Sequence, residues 1–219
     1  MIRRVLDIVV SAVALVLTAP LMLGAMLAIR LESHGHPIYR QRRVGRDGVE
    51  FDMLKLRTMV SGAESMGAGM AVNEGDARIT RVGKFLRRWS IDELPNLVNV
   101  LRGEMSLIGP RPTIQVQVAQ YTDRQRGRLA IRPGLTGWAQ IHGRTALPWD
   151  QRIELDLWYV EHRKLRTDLV IVWQTVRMLV NGDGLYKGAT GGWHGPHDLR
   201  VPEARGPHQS ADRTEARGD

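Results

Sequence analysis

The longest apolar run stands at the N-terminus, where Ile8 to Ile29 carries no charged residue. At about 1.5 Å per helical residue this run matches a hydrocarbon core roughly 30 Å thick, so a straight membrane-spanning helix is the plainest prediction. A cleaved signal peptide fits less well, because the run exceeds an ordinary signal core and the following L-E-S-H-G-H-P is a poor cleavage site. Two features favour a third form. Pro20 falls near the middle of the run and should kink it, leaving halves of about 15 Å that are each too short to cross. Arginines flank both ends, Arg3 and Arg4 before and Arg30, Arg40, Arg42, Arg43 and Arg46 after, so the positive-inside tendency holds both flanks on the cytoplasmic side. A re-entrant helix broken at Pro20, entering and leaving by one face, satisfies both. The spanning helix stays open, since proline is tolerated in membrane helices.

Beyond residue 30 the pattern becomes that of a small folded domain. Arg46-Asp47-Gly48 carries a hairpin signal between the runs Pro37–Tyr39 and Phe51–Met59. Lys55, Arg57 and Thr58 make a basic, hydroxylated patch there, or an ordinary solvated strand face. Residues 61–77 are rich in Gly, Ala and Met without an apolar face, which predicts a mobile loop. From Arg78 to Leu101 the spacing turns helical, with Val82, Phe85, Leu86 and Trp89 on one pattern and Leu94, Leu97, Val98 and Leu101 predicted as core. Asn96 and Asn99 read as its polar edge. Ser90-x-x-Glu93 is a capping-box pattern that would start a helix at Ser90 and leave free N–H groups facing an anion. Gly103 is a plausible helix stop. Residues 148–163 form an amphipathic helix candidate opening at Pro148, and Asp168–Val180 is apolar but too short to span, so it is either buried or interfacial. From Asn181 onward few apolar residues remain, which predicts a disordered tail whose His194 and His197 are solvated or, as the sharper reading, metal-binding.

Composition narrows the chemistry. The 219 residues contain no cysteine, which excludes disulfides and thiolate metal sites. A formal charge of +8 points to an anionic partner: a membrane surface, a nucleic acid or a phosphate-rich small molecule. Against that background the stretch Arg87–Pro112 is the chemical centre. It places the acid pair Asp92-Glu93 between arginines and ends in the stiff turn Gly109-Pro110-Arg111-Pro112. Carboxylates among guanidinium groups suit a phosphorylated substrate, and also suit a solvated helix laced with ion pairs. Pro133-Gly134 predicts a tight turn, and Gly137 and Gly143 permit close backbone approach within I-R-P-G-L-T-G-W-A-Q-I-H-G-R, where Arg132 and Arg144 add two cations.

Taken together, R-R-V-L-D before the apolar helix, K-L-R-T-M at 55–59, S-I-D-E-L-P-N, G-E-M-S-L-I-G-P-R-P at 103–112, R-P-G-L-T-G-W-A-Q at 132–140 and E-L-D-L-W-Y-V at 154–160 resemble the bacterial sugar transferases, monotopic polyprenyl-phosphate phosphoglycosyl transferases. The resemblance covers about Arg3 to Val180. It implies an α+β, mostly helical protein: a re-entrant membrane helix over 1–30, a catalytic domain on the cytoplasmic face over 31–180 with a short hairpin and interfacial helices, and a tail over 181–219. It also implies transfer of a phosphosugar from a UDP-sugar to undecaprenyl phosphate at the inner membrane, with release of UMP, as the first step of exopolysaccharide or other surface-glycan synthesis. Mg²⁺ is the implied cofactor. Asp92 is implied as the nucleophile and metal ligand, and Glu93 as its magnesium neighbour or a base. Lys55, Arg57, Arg87, Arg111, Arg132 and Arg144 are implied as substrate or phosphate contacts. Membrane lipids are expected partners, nucleic acid is not, and a homo-oligomer is allowed. Three departures stand out: Ala19 precedes Pro20 where serine is common, Glu104 precedes Met105, and His142 stands where asparagine is frequent. The alternative is a membrane-anchored binder of anionic lipid or nucleic acid without catalysis. It leaves the acid pair unexplained, and the chain shows no helix-turn-helix, zinc-finger or RNP pattern.

Overall fold

The computed structural model describes residues 1–63, 66, 75–143 and 147–181. It is α+β and mostly helical, and the position of each element follows from how it pairs its polar groups. Helix α1 runs from Ile2 to Glu32 with Pro20 inside it. Pro20 has no N–H to donate to the Val16 carbonyl four residues back, and close by Thr18 Oγ1 donates to a different carbonyl, Ala14 O, at 2.7 Å. The helix is inverted relative to a soluble one. Asp7 and Ser11 are buried, whereas Val9, Val13, Val16, Leu17, Leu21 and Leu23 are exposed. An apolar face of this length turned outward belongs in lipid, not water.

Both ends of α1 are tied to the folded domain. At the N-terminal end, Arg3 Nε lies 2.7 Å from Asp168 Oδ2, Arg4 donates to the Val100 and Leu101 carbonyls, and Asp7 accepts from Ser106 Oγ and the Leu107 amide. At the C-terminal end, Ala25 and Ile29 pack with Leu56 and Leu86, with Ile91 against that cluster. Glu32 accepts the Arg81 and Val82 amides and so caps the next helix.

Strands β1 (Ile38–Val44) and β2 (Glu50–Leu56) form the expected antiparallel hairpin, in the register Ile38↔Leu56 and Val44↔Glu50. Asp47 turns it in the left-handed region at φ 57°. The helical pattern expected from Arg78, with a new start at Ser90, resolves into three pieces: α2 (Arg81–Arg88), a 3₁₀ turn at Ile91–Glu93, and α3 (Asn96–Arg102). Ser90 breaks it, with φ 54° and no side-chain cap, so the capping box predicted there does not form. The Thr122 side chain and Gln125 make one instead, at the start of a later helix. Asn96 and Asn99, predicted as a polar edge, are buried, while Leu94, Val98 and Leu101 are half-buried. Asn99 can be buried because its amide is satisfied by the Leu54 amide, the Asp52 carbonyl and Glu104 Oε2, an arrangement that fastens α3 to β2. The same contact gives Glu104 a role in this chain.

Strand β3 (Ser106–Ile108) pairs in parallel with β4 (Gly134–Thr136), where the sequence predicted only turns. Close approach requires the glycines: a Cβ on Gly137 would overlap the Gly109 carbonyl. Short helices α4 (Gln115–Val118), α5 (Asp123–Arg126) and α6 (Trp138–Ile141) lead to α7 (Trp149–Glu161) and α8 (Leu165–Asn181). Helix α8 turns Asp168 and Ile171 inward and exposes Leu169, Val172, Trp173, Val176 and Val180. Of the two readings for this segment, buried or interfacial, the outward apolar stripe favours the interface. The predicted mobile loop falls largely, and the tail after residue 181 entirely, outside the described residues.

Candidate active site

The site lies where the end of β2, the 3₁₀ turn and the Gly109–Pro112 turn meet. Strand β2 alternates, sending Phe51, Met53 and Leu56 into the core and leaving Lys55 half-buried toward the turn. Lys55 Nζ is 2.8 Å from Glu93 Oε1, and Arg111 donates to the same oxygen at 2.9 Å. Burial alone would raise the Glu93 carboxyl, but the Lys55 ammonium and then the Arg111 guanidinium outweigh it and hold Glu93 well below the usual carboxylate range. Asp92 goes the other way. Burial first, and the Glu93 charge second, push it up to about 6, against the smaller opposing pull of Lys55, Arg87 and Arg111. Two neighbouring carboxyls thus differ in role: Glu93 is a fixed anion and Asp92 is poised near neutrality.

The surrounding cations are held by neutral groups as well as by acids. Arg87 donates from Nε to Thr58 Oγ1 at 2.7 Å. The prolines around Arg111 stiffen its backbone, and Arg128 supports it from behind by donating to the Arg111 carbonyl at 2.8 Å. Arg128 is itself buried against Asp156 at 2.6 Å and Tyr121 Oη at 2.7 Å.

Of the residues singled out from sequence, Lys55, Arg87, Asp92, Glu93 and Arg111 come together. Arg57 is turned to the segment after α1, donating to the Ser33 carbonyl at 2.7 Å and the Ser33 hydroxyl at 2.9 Å. Arg132 donates to the Gly103 carbonyl at the end of α3, next to Arg4, and its other charged neighbours include Arg46 and Arg163. Arg144 lies outside the described residues. His142 lies tilted against Trp138 with ring centroids 4.2 Å apart, at the end of a ladder that continues by stacking through Trp158 to His162.

Arg43, marked in the sequence only as one of the arginines flanking the apolar run, also reaches the edge of the site. Its guanidinium donates to Gln41 Oε1 and to the Pro112 carbonyl, both neutral. Burial first, then the nearby Arg111 charge, lower its pKa to about 10. The short length of the 3₁₀ turn and of α3 also moves the source of positive potential, from the expected helix end to these side chains.

Among the described residues no three His, Asp or Glu side chains gather into a metal cage. Asp92 Oδ1, however, is buried and without a hydrogen-bond partner. A hard cation held by one carboxylate and completed by substrate oxygens and water fits such a donor.

Residues 1–182 match the family described as bacterial sugar transferase. The UDP-glucose:undecaprenyl-phosphate glucose-1-phosphate transferase of Caulobacter vibrioides is 46% identical over 192 residues, covering 84% of this chain and 72% of that protein. The uncharacterized sugar transferase EpsL of Bacillus subtilis is 37% identical over 183 residues, covering 84% and 89%. The UDP-N-acetylgalactosamine-undecaprenyl-phosphate N-acetylgalactosaminephosphotransferase of Aeromonas hydrophila is 43% identical over 190 residues, covering 84% of this chain but only 44% of that protein.

Proposed function

The chain belongs to the bacterial sugar transferase family, and we propose that it transfers a phosphosugar from a UDP-sugar to undecaprenyl phosphate, releasing UMP. This would initiate an exopolysaccharide or related surface glycan. The observation that carries the reading is the split acid pair, with Glu93 pinned as an anion between Lys55 and Arg111 and Asp92 held near neutrality beside it.

Asp92 is the nucleophile. One of its oxygens attacks the β-phosphorus of the UDP-sugar, the bond from that phosphorus to the bridging oxygen breaks, and the electron pair leaves with UMP. The phosphosugar is then an acyl phosphate on Asp92. An oxygen of undecaprenyl phosphate attacks the same phosphorus, the bond to Asp92 breaks, and the carboxylate is regenerated. Glu93, held below the ordinary range, is a poor base and serves to hold Lys55 and Arg111 in place. Arg111, Arg87 and Arg43 face the phosphates, and Lys55 adds its charge. Mg²⁺ would be held by Asp92 and would supply charge neutralisation at the leaving phosphate.

Membrane attachment follows the same logic. Arg4 and Ile29 would lie about 37 Å apart on a straight helix. Their anchors are close in the chain: Arg4 meets the Leu101 carbonyl, and Ile29 packs in the cluster against Ile91. The helical chain from Ile91 to Leu101 spans only about 15–20 Å. This supports a bend at Pro20 that returns α1 to the cytoplasmic face of the inner membrane, with the stripe of α8 in the interface. Both apolar surfaces then meet lipid, and the lipid phosphate arrives at the level of the site.

The test is UMP release by the purified chain with undecaprenyl phosphate, Mg²⁺ and a panel of UDP-sugars. Release with one or more sugars is expected, and none with any sugar from folded protein sinks the reading.

A further inference from the structure

The polar residues at the end of β2 divide their work. Lys55 holds Glu93, Arg57 holds the segment after α1, and Thr58 is left to Arg87. Thr58 is buried, and its hydroxyl accepts from Arg87 Nε at 2.7 Å. Its backbone is fixed as well, since its carbonyl accepts from the Thr80 amide at 3.1 Å. Thr80 is the residue whose side chain caps α2. Helix α2 therefore begins from a position set by Thr58.

The helix also rests directly on that residue. A Cβ on Gly83 would overlap the Thr58 carbonyl, so only glycine lets α2 come this close. Arg87 follows Gly83 by four residues and emerges from the same side of the helix, one turn on. The Gly83 contact fixes the depth from which the Arg87 side chain leaves α2, and the Thr58 hydroxyl fixes its direction. An arginine side chain is among the most costly to order, so a guanidinium already held at Nε loses less freedom when it meets an anion.

We propose that Thr58, seated against Gly83, is a positioning residue that aims the Arg87 guanidinium at the phosphate groups of the substrate. The identity of that substrate rests on the transferase reading, whereas the anion-binding role does not. Thr58→Val keeps the shape and removes the acceptor, and Thr58→Ser keeps the acceptor.

The experiment measures inorganic pyrophosphate binding to the full chain in detergent by calorimetry, beside UMP release. Thr58→Val is expected to weaken pyrophosphate binding about 10-fold, and Thr58→Ser to stay within about twofold of the wild type. In an Arg87→Ala background, Thr58→Val should add no further loss, because the two residues act as one unit. Gly83→Ala should weaken binding in the same direction. Wild-type affinity in Thr58→Val, an equal further loss in the Arg87→Ala background, or absence of pyrophosphate binding by the wild type would each overturn the proposal. Pyrophosphate binding with the expected pattern but no UMP release would sink the transferase reading and leave the positioning role standing.

Discussion

Lys55 Nζ sits 2.8 Å from Glu93 Oε1, with both side chains largely buried. Arg111 shares that oxygen, so one carboxylate holds two cations from different parts of the chain. Because the pair is screened from water, breaking it has a large effect. Lys55→Met should destabilise the fold by about 3 kcal/mol, since it removes one partner of a buried pair. Glu93→Gln should lower kcat by about 10–100-fold by releasing both cations, with little change in KM. Chemical denaturation and steady-state UMP release read the two effects, and a Glu93→Gln enzyme within twofold of wild type would exclude the anchoring role.

The raised Asp92 pKa predicts a pH profile. A nucleophilic carboxylate must be ionised, so kcat/KM should fall as the pH drops through about 6, approaching tenfold per unit below it. The stability effect has the opposite sense. Between the ordinary value of 3.8 and about 6, the folded state keeps a proton that the unfolded state has lost. Stability therefore falls as pH rises across that window and stays lower above it. Asp92→Asn should abolish turnover yet stabilise the fold at neutral pH by about 1–3 kcal/mol. An inactive variant that is also less stable at neutral pH would contradict the burial account.

Re-entry of α1 predicts that its two flanks share one side of the membrane. Ile2 and Val49 are both exposed. Cysteines introduced at these positions, one at a time, should react with an impermeant thiol reagent only from the cytoplasmic side of oriented vesicles. Reaction from opposite sides would restore a straight anchor.

Arg128 and Asp156 pair at 2.6 Å, deep in the domain, and Arg128 also holds the Arg111 carbonyl. Arg128→Met leaves the Asp156 carboxylate buried without its partner and should cost about 3–5 kcal/mol. Adding Asp156→Leu should recover much of that loss in a denaturation experiment, while activity stays low because the turn bearing Arg111 has lost its support. Full recovery of activity in the double variant would show that Arg128 acts on stability alone.

These relationships were unevenly legible in the sequence. The apolar run of α1, the hairpin at Asp47-Gly48, the start of α7 at Pro148 and the acid pair could be read directly, because each depends on local patterning. The capping box at Ser90 could not. The same S-x-x-E spacing serves a 3₁₀ turn when tertiary partners claim the glutamate, and here Lys55 and Arg111 do. Asn99 looked like an edge residue because its three partners come from β2 and Glu104, which no local pattern reveals. Arg57 and Arg132 are expected to contact phosphate from the motifs they stand in, and no local pattern shows which backbone carbonyls their guanidinium groups also meet. In the fold, each of them meets a carbonyl.

Covalent capture of the phosphosugar on Asp92 is tested most directly by a single-turnover experiment without the lipid acceptor. Enzyme mixed with a UDP-sugar and Mg²⁺, but no undecaprenyl phosphate, should release one UMP per active site and gain the mass of the phosphosugar on Asp92. Asp92→Asn should show neither. A wild-type enzyme that turns over with both substrates yet gives no UMP burst and no added mass in the acceptor's absence would contradict the covalent mechanism.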